Sequence, residues 1–83
     1  MTSDIELRLL RVFRGVVESG GFTNAQSVLN LSQSTVSNQM ALLESRLGFV
    51  LCQRGRGGFR LTDEGRAYYL QVVELSNALS RFQ

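Results

Sequence analysis

The chain contains no histidine, lysine, proline or tryptophan, and it has one cysteine. Each absence closes off a class of function. Without His, and with Cys52 alone, the common zinc sites, the His-based catalytic sets and an internal disulfide are all excluded. No cofactor is expected. No apolar run approaches the length of a membrane span. The polar N-terminus, interrupted by Asp4 and Glu6, does not read as a signal peptide. The expectation is a soluble cytoplasmic chain with no membrane partner. There is no repeat or low-complexity stretch, and 83 residues fit one domain with a thin core. Domains of that size often lean on a partner.

The charge that is present has a particular character. All nine cations are Arg, set against seven acids, for a net charge of +2. Arg makes forked contacts to phosphates and guanine edges that Lys cannot copy. Arg54, Arg56 and Arg60 fall between residues 48 and 60 with no acid among them, whereas residues 61–83 hold two Arg against Asp63, Glu64 and Glu74. Taken alone, the Arg cluster is either a solvated surface or a nucleic-acid contact.

With proline absent, glycine divides the chain, at 20–21, 48, 55, 57–58 and 65. From Asp4 to Ser19, Leu7, Leu10, Phe13 and Val17 recur at spacings of three and four, widened by Leu9 and Val16, which predicts an amphipathic helix. Arg8, Arg11 and Arg14 mark its wet face. Thr23 is a candidate N-cap for a two-turn helix over Asn24–Asn30, with Phe22 before it as a staple and Ala25 and Leu29 facing inward. Ser32 is the next candidate cap. A helix from Gln33 to Leu47 follows, with Val36, Met40, Leu43 and Leu47 on its apolar side and Gly48 as its stop. Phe49-Val50-Leu51-Cys52 and Phe59-Arg60-Leu61 read as two strands of a hairpin with an Arg- and Gly-rich tip. Thr62 or Asp63 caps a last helix. There Tyr68, Val72, Leu75, Leu79 and Phe82 form a heptad seam, which suits pairing of two copies or packing on the first helix.

Two short helices joined by a tight turn, the second polar at its start, describe a helix-turn-helix. Gln33, Ser34, Ser37 and Asn38 lie on one face, at the N-terminal end of the second helix. Gln and Asn can bond adenine in pairs and Ser can bond either way, so these four are the candidate base contacts in a DNA major groove. Helix N-termini favour anions, which makes Thr23 and Ser32 candidate phosphate anchors. Arg54 and Arg56 suit the backbone or a narrow minor groove.

The ordered set Phe22-Thr23-Asn24-Ala25, Leu29, Leu31-Ser32-Gln33-Ser34-Thr35-Val36-Ser37-Asn38-Gln39-Met40, Leu43-Glu44 and Leu47-Gly48, continuing through Leu51, Arg54, Leu61-Thr62 and Gly65, resembles the N-terminal domain of LysR-type transcriptional regulators of bacteria. The resemblance implies a mostly α winged helix-turn-helix: three helices and a β-hairpin wing, followed by a long linker helix. The DNA-binding unit would be residues 1–62, with the recognition helix over about 33–47 and the wing over about 49–62. Residues 63–83 would be the linker and dimerisation helix. The family's major-groove positions fall on Gln33, Ser34, Ser37 and Asn38, its wing Arg on Arg54, and its backbone contacts on Thr23 and Thr62. The implied partners are double-stranded DNA and a second copy of the chain, with a tetramer possible at full length. A small-molecule effector would act only through a C-terminal domain beyond these 83 residues, so the chain reads as an excised domain that binds DNA near the bacterial nucleoid and senses nothing. The departures concern charge. Ser34 stands where the family commonly has Pro, Asn38 where it has Arg or Lys, and Ala41 and Leu42 where it has basic residues; Gln26 and Cys52 replace Ala and Phe. Fewer phosphate contacts predict weaker, less salt-dependent binding. An assembly module built on the exposed heptad helix is the alternative function. No base and nucleophile sit in a recognisable catalytic arrangement, so an enzyme is not expected.

Overall fold

A computed structural model of the chain describes residues 4–55 and 58–81. Four helices and one hairpin follow in order: α1 (Asp4–Ser19), α2 (Phe22–Leu29), α3 (Gln33–Leu47), β1 (Cys52–Gly55), β2 (Gly58–Leu61) and α4 (Asp63–Ser80). This is the winged helix-turn-helix plan with a long final helix. The helices pack first. Leu9, Val12, Phe13 and Val16 of α1 meet Ala25 of α2, Val36, Met40 and Leu43 of α3, Leu51 and Val72 in one buried cluster. The α1 stripe is therefore centred on 9/12/13/16. Leu7, expected on the inner side, is 42% exposed. Apolar residues surround much of α1, and packing against α2 and α3 selects the face.

Local signals set α3 at both ends. The Ser32 hydroxyl accepts from the Thr35 amide at 3.2 Å, and Gly48 closes the helix in the left-handed region at φ 82°. The start of α2 differs from expectation. Gly21 occupies the cap position without a side-chain cap, and the helix begins at Phe22, so Thr23 lies inside the first turn. Phe22 is not a staple. Its half-buried ring packs at the edge of the core and meets the hairpin, T-shaped against Phe59 at 6.1 Å.

The wing also differs from expectation. The antiparallel ladder pairs Cys52 with Leu61, Gln53 with Arg60, Arg54 with Phe59 and Gly55 with Gly58. Phe49, Val50 and Leu51 precede the ladder instead of forming part of it. Leu51 is fully buried and anchors this stretch to the core. Its amide donates to a Glu44 carboxylate oxygen at 2.7 Å, and its carbonyl accepts from the Thr62 amide at 2.9 Å. Thr62 then caps α4, its hydroxyl accepting from the Gly65 amide at 2.9 Å. Gly65 is fixed by this junction, because a Cβ there would collide with the Leu51 carbonyl.

Candidate nucleic-acid interface

The start of α3 is built from hydroxyls. Ser32 Oγ donates to Thr35 Oγ1 at 2.8 Å and lies 3.3 Å from Ser34 Oγ. This cluster caps the Thr35 amide at the start of the helix. Gln33, Ser34 and Asn38 are exposed and Ser37 is half-buried. The same face continues through Ala41, Leu42 and Ser45, all exposed and uncharged. Uncharged hydrogen-bonding side chains on a largely exposed helix face suit the reading of base edges.

The wing lies against the start of α2. The Arg54 guanidinium carbon sits 4.0 Å from the centre of the Phe22 ring. A Cβ on Gly21 would stand 3.6 Å from the Phe59 Cβ, so backbone and wing approach closely here. Arg54 thus stands beside the first turn of α2, where Thr23 and Asn24 are exposed. Asn24 also donates to the Ser19 carbonyl at 2.9 Å, which closes the end of α1. Arg56 lies outside the described residues.

Thr62 is committed within the protein. Its hydroxyl hydrogen points to the Val50 carbonyl at 2.6 Å, with the Leu51 carbonyl at 3.2 Å, while its oxygen accepts from Gly65. A hydroxyl has a single proton, so a bond from it to a phosphate calls for breaking this junction.

Residues of the expected seam fall in two groups. Tyr68 and Val72 face their own chain: the Tyr68 ring lies 5.6 Å from Phe13 and 6.3 Å from Phe49, and Val72 is buried. Leu75 and Leu79 are 43% and 48% exposed. They line an open groove with Leu7, Leu10, Val28 and Leu29, rimmed by Arg11, Arg14 and Glu18. Phe82 lies outside the described residues. At the rim, Tyr69 Oη donates to Glu18 Oε2 at 2.7 Å, and Arg14 Nε donates to the same oxygen at 2.7 Å. These bonds hold the Glu18 carboxyl below its ordinary value of 4.5, the Tyr69 bond contributing most.

Cys52 lies at the base of the wing. Burial, reinforced by the nearby Glu44 charge, pushes its thiol up to about 12, against a smaller opposing pull from Arg54. The thiol stays neutral in water. No group of three metal-ligating side chains occurs among the described residues.

Residues 7–66 match the family model of bacterial regulatory helix-turn-helix proteins, lysR family. The chain belongs to the LysR family. It is 53% identical over 81 residues to the HTH-type transcriptional activator BauR of Pseudomonas aeruginosa, covering 98% of this chain and 27% of that protein. It is 38% identical over 71 residues to the HTH-type transcriptional regulator YtlI of Bacillus subtilis, covering 86% of this chain and 23% of that protein. The chain therefore spans about a quarter of the length of the curated relatives it matches. Among solved structures, the BenM DBD/catB site 1 DNA complex superposes with a TM-score of 0.87 at 36% identity, covering 93% of this chain and 83% of that one. CbnR, a LysR family transcriptional regulator, superposes with a TM-score of 0.85 at 34% identity, covering 92% of this chain and 26% of that one.

Three residues of this LysR-family chain that hold the site together carry no obvious signal of their own. Phe22 reads as a staple and Phe59 as a strand residue, and only the fold places the Phe22 ring under Arg54 with Phe59 against it. Glu44 has a fainter signal: it is the only acid between Glu18 and Asp63. Its carboxylate accepts the amides of Leu51 and Cys52, at 2.7 and 3.3 Å, and so ties α3 to the wing. No helix among the described residues is long and apolar enough to cross a membrane.

Proposed function

We propose that these residues are the DNA-binding part of a bacterial LysR-type transcriptional regulator, with α3 lying in the major groove of double-stranded DNA. One observation carries the reading: the uncharged face at the N-terminal end of α3, with Gln33, Ser34 and Asn38 exposed and Ser37 half-buried beside them. In this reading those four side chains meet base edges. Thr23 meets a phosphate at the start of α2, and Ser32 meets one at the start of α3 by turning its hydroxyl away from Thr35. Arg54 extends the contact to the backbone or minor groove, with Arg56, two residues on in the sequence, as a further candidate. Thr62 acts first as the hinge between wing and α4, and it reaches a phosphate only by giving up its bond to Val50. The DNA complexes of BenM and CbnR domains of similar fold support this reading.

Residues 1–62 form the DNA-binding unit and residues 63–83 the linker through which two copies join. Leu75 and Leu79 supply the available apolar surface of that joint, Phe82 follows them in the heptad spacing of the sequence, and Tyr68 and Val72 fix the helix to its own domain. A small-molecule effector, and tetramer formation, act through the C-terminal domain that the family resemblance implies. The work is binding, without catalysis or cofactor, in the bacterial cytoplasm.

Selection from a pool of random duplexes tests the reading. The chain is expected to enrich a sequence with related half-sites about one helical turn apart or a multiple of that. Gln33→Ala is expected to relax the preference at one position of each half-site by about tenfold. Enrichment of no sequence, or an unchanged preference in Gln33→Ala, contradicts it.

A further inference from the structure

We infer that Phe22 is a positioning residue for DNA binding: its ring, braced by Phe59, holds Arg54 in the pose that meets the nucleic acid. The inference rests on the reading of Arg54 as a DNA contact and adds what makes that contact possible. Arg54 projects from a two-stranded hairpin next to glycines 55, 57 and 58, and a long Arg side chain loses much rotamer freedom when it is held in one pose. Among the described residues it has no carboxylate partner. What it has is a ring: the guanidinium carbon stands 4.0 Å from the Phe22 centroid. A cation is attracted to the face of such a ring.

The geometry suits the purpose in a specific way. A guanidinium held over a ring is bound by its charge and not through its N–H groups, which remain able to bond phosphate oxygens. A carboxylate partner would hold the group equally well but would occupy those donors and repel the phosphate. Phe22 is itself held. Phe59 meets it edge-on at 6.1 Å, and Phe59 is the residue paired with Arg54 across the ladder. The close approach of Gly21 to the Phe59 Cβ seals the same contact. The cation, the ring and the brace therefore join the wing to the first turn of α2, so that one rigid unit presents Arg54 beside Thr23.

A double-mutant cycle tests this, using the full 83-residue chain and a duplex recovered from a random pool by the wild-type protein. Phe22→Leu, which keeps bulk but removes the ring, is expected to weaken binding about fivefold. In an Arg54→Ala background the same change is expected to cost less than about twofold, because the ring then has nothing to hold. Phe22→Tyr is expected to bind like wild type. An equal loss in both backgrounds shows a merely structural Phe22 and overturns the inference, as does tighter binding by Phe22→Leu. Arg54→Ala weakening DNA while Phe22→Leu does nothing overturns the inference alone. An Arg54→Ala variant with unchanged affinity removes the wing reading and the inference with it. The wild-type chain supplies a check that needs no variant to fold: the Arg54 side-chain protons are expected to shift upfield by NMR under the Phe22 ring current, and unshifted resonances overturn the inference.

Discussion

At the scale of single residues, the junction beneath the wing concentrates the risk. Leu51 is fully buried, and its amide and carbonyl are both bonded, to Glu44 and to Thr62. Gly65 sits against that carbonyl so closely that any side chain collides with backbone. Gly65→Ala, ordinarily a stabilising change in a helix, is therefore expected to destabilise by about 1–3 kcal/mol. The melting temperature would fall by roughly 10 °C for a domain this small. An unchanged or higher value would mean that the junction relaxes freely. Cys52 gives a second test. With its thiol raised from 9.0 to about 12 by burial and by Glu44, the native protein at pH 8 holds almost no thiolate. Iodoacetamide is expected to label Cys52 far more slowly in the folded chain than in urea, by intact-mass measurement. Equal rates would contradict the placement.

At the scale of elements, α1 and α4 are joined by packing and by the Tyr69–Glu18–Arg14 group. The Glu18 carboxyl is held below 4.5, chiefly by the Tyr69 hydroxyl and then by Arg14, so its contribution is complete above pH 4.5 and is lost as pH falls through the lowered value. The Tyr69 phenol is raised above 10.0 by the same bond, so its share persists below pH 10 and is lost as pH rises past that. Tyr69→Phe is expected to melt below wild type between about pH 5 and pH 9 and to converge with it in acid. A difference that stays constant into acid would place the effect elsewhere.

Which elements were legible in the sequence follows from where their signals lie. The ends of α3 are local: Ser32 and Gly48 carry them, and both fall where their chemistry indicates. The start of α2 is not local. Thr23 has the chemistry of a cap, but Phe22 is drawn into the helix by contacts to Phe59 and Arg54, more than 30 residues away. The run Phe49-Val50-Leu51 has strand composition, yet Leu51 is claimed by the core and by Glu44 before the ladder begins. The uncharged face of α3 was legible as composition. That Tyr68 and Val72 turn inward while Leu75 and Leu79 do not depends on where α1 ends its contact with α4, which no pattern along α4 encodes.

At the scale of the molecule, two surfaces have work to do. The groove of Leu7, Leu10, Val28, Leu29, Leu75 and Leu79 leaves apolar area uncovered on a small domain. In the proposed pairing a second copy covers it, which would double the DNA contact of a protein whose outer α3 face carries no charge. Leu75→Glu together with Leu79→Glu is expected to give a monomer in sedimentation at low micromolar concentration and to weaken DNA binding at least tenfold, as loss of a tethered second site demands. A wild-type chain that sediments strictly as a monomer would count against the groove as a pairing surface.

Because α3 carries little charge, affinity in this account is divided between base contacts from Gln33, Ser34, Ser37 and Asn38 and a few cationic contacts led by Arg54. The dependence of binding on salt measures that division directly. The most direct measurement is a titration of a selected duplex at several salt concentrations, with wild type and Arg54→Ala in parallel. Wild type is expected to bind more weakly as salt rises, with a slope of log affinity against log salt that falls by about one unit in Arg54→Ala. Binding that is absent, or a slope that is the same in both proteins, would contradict it.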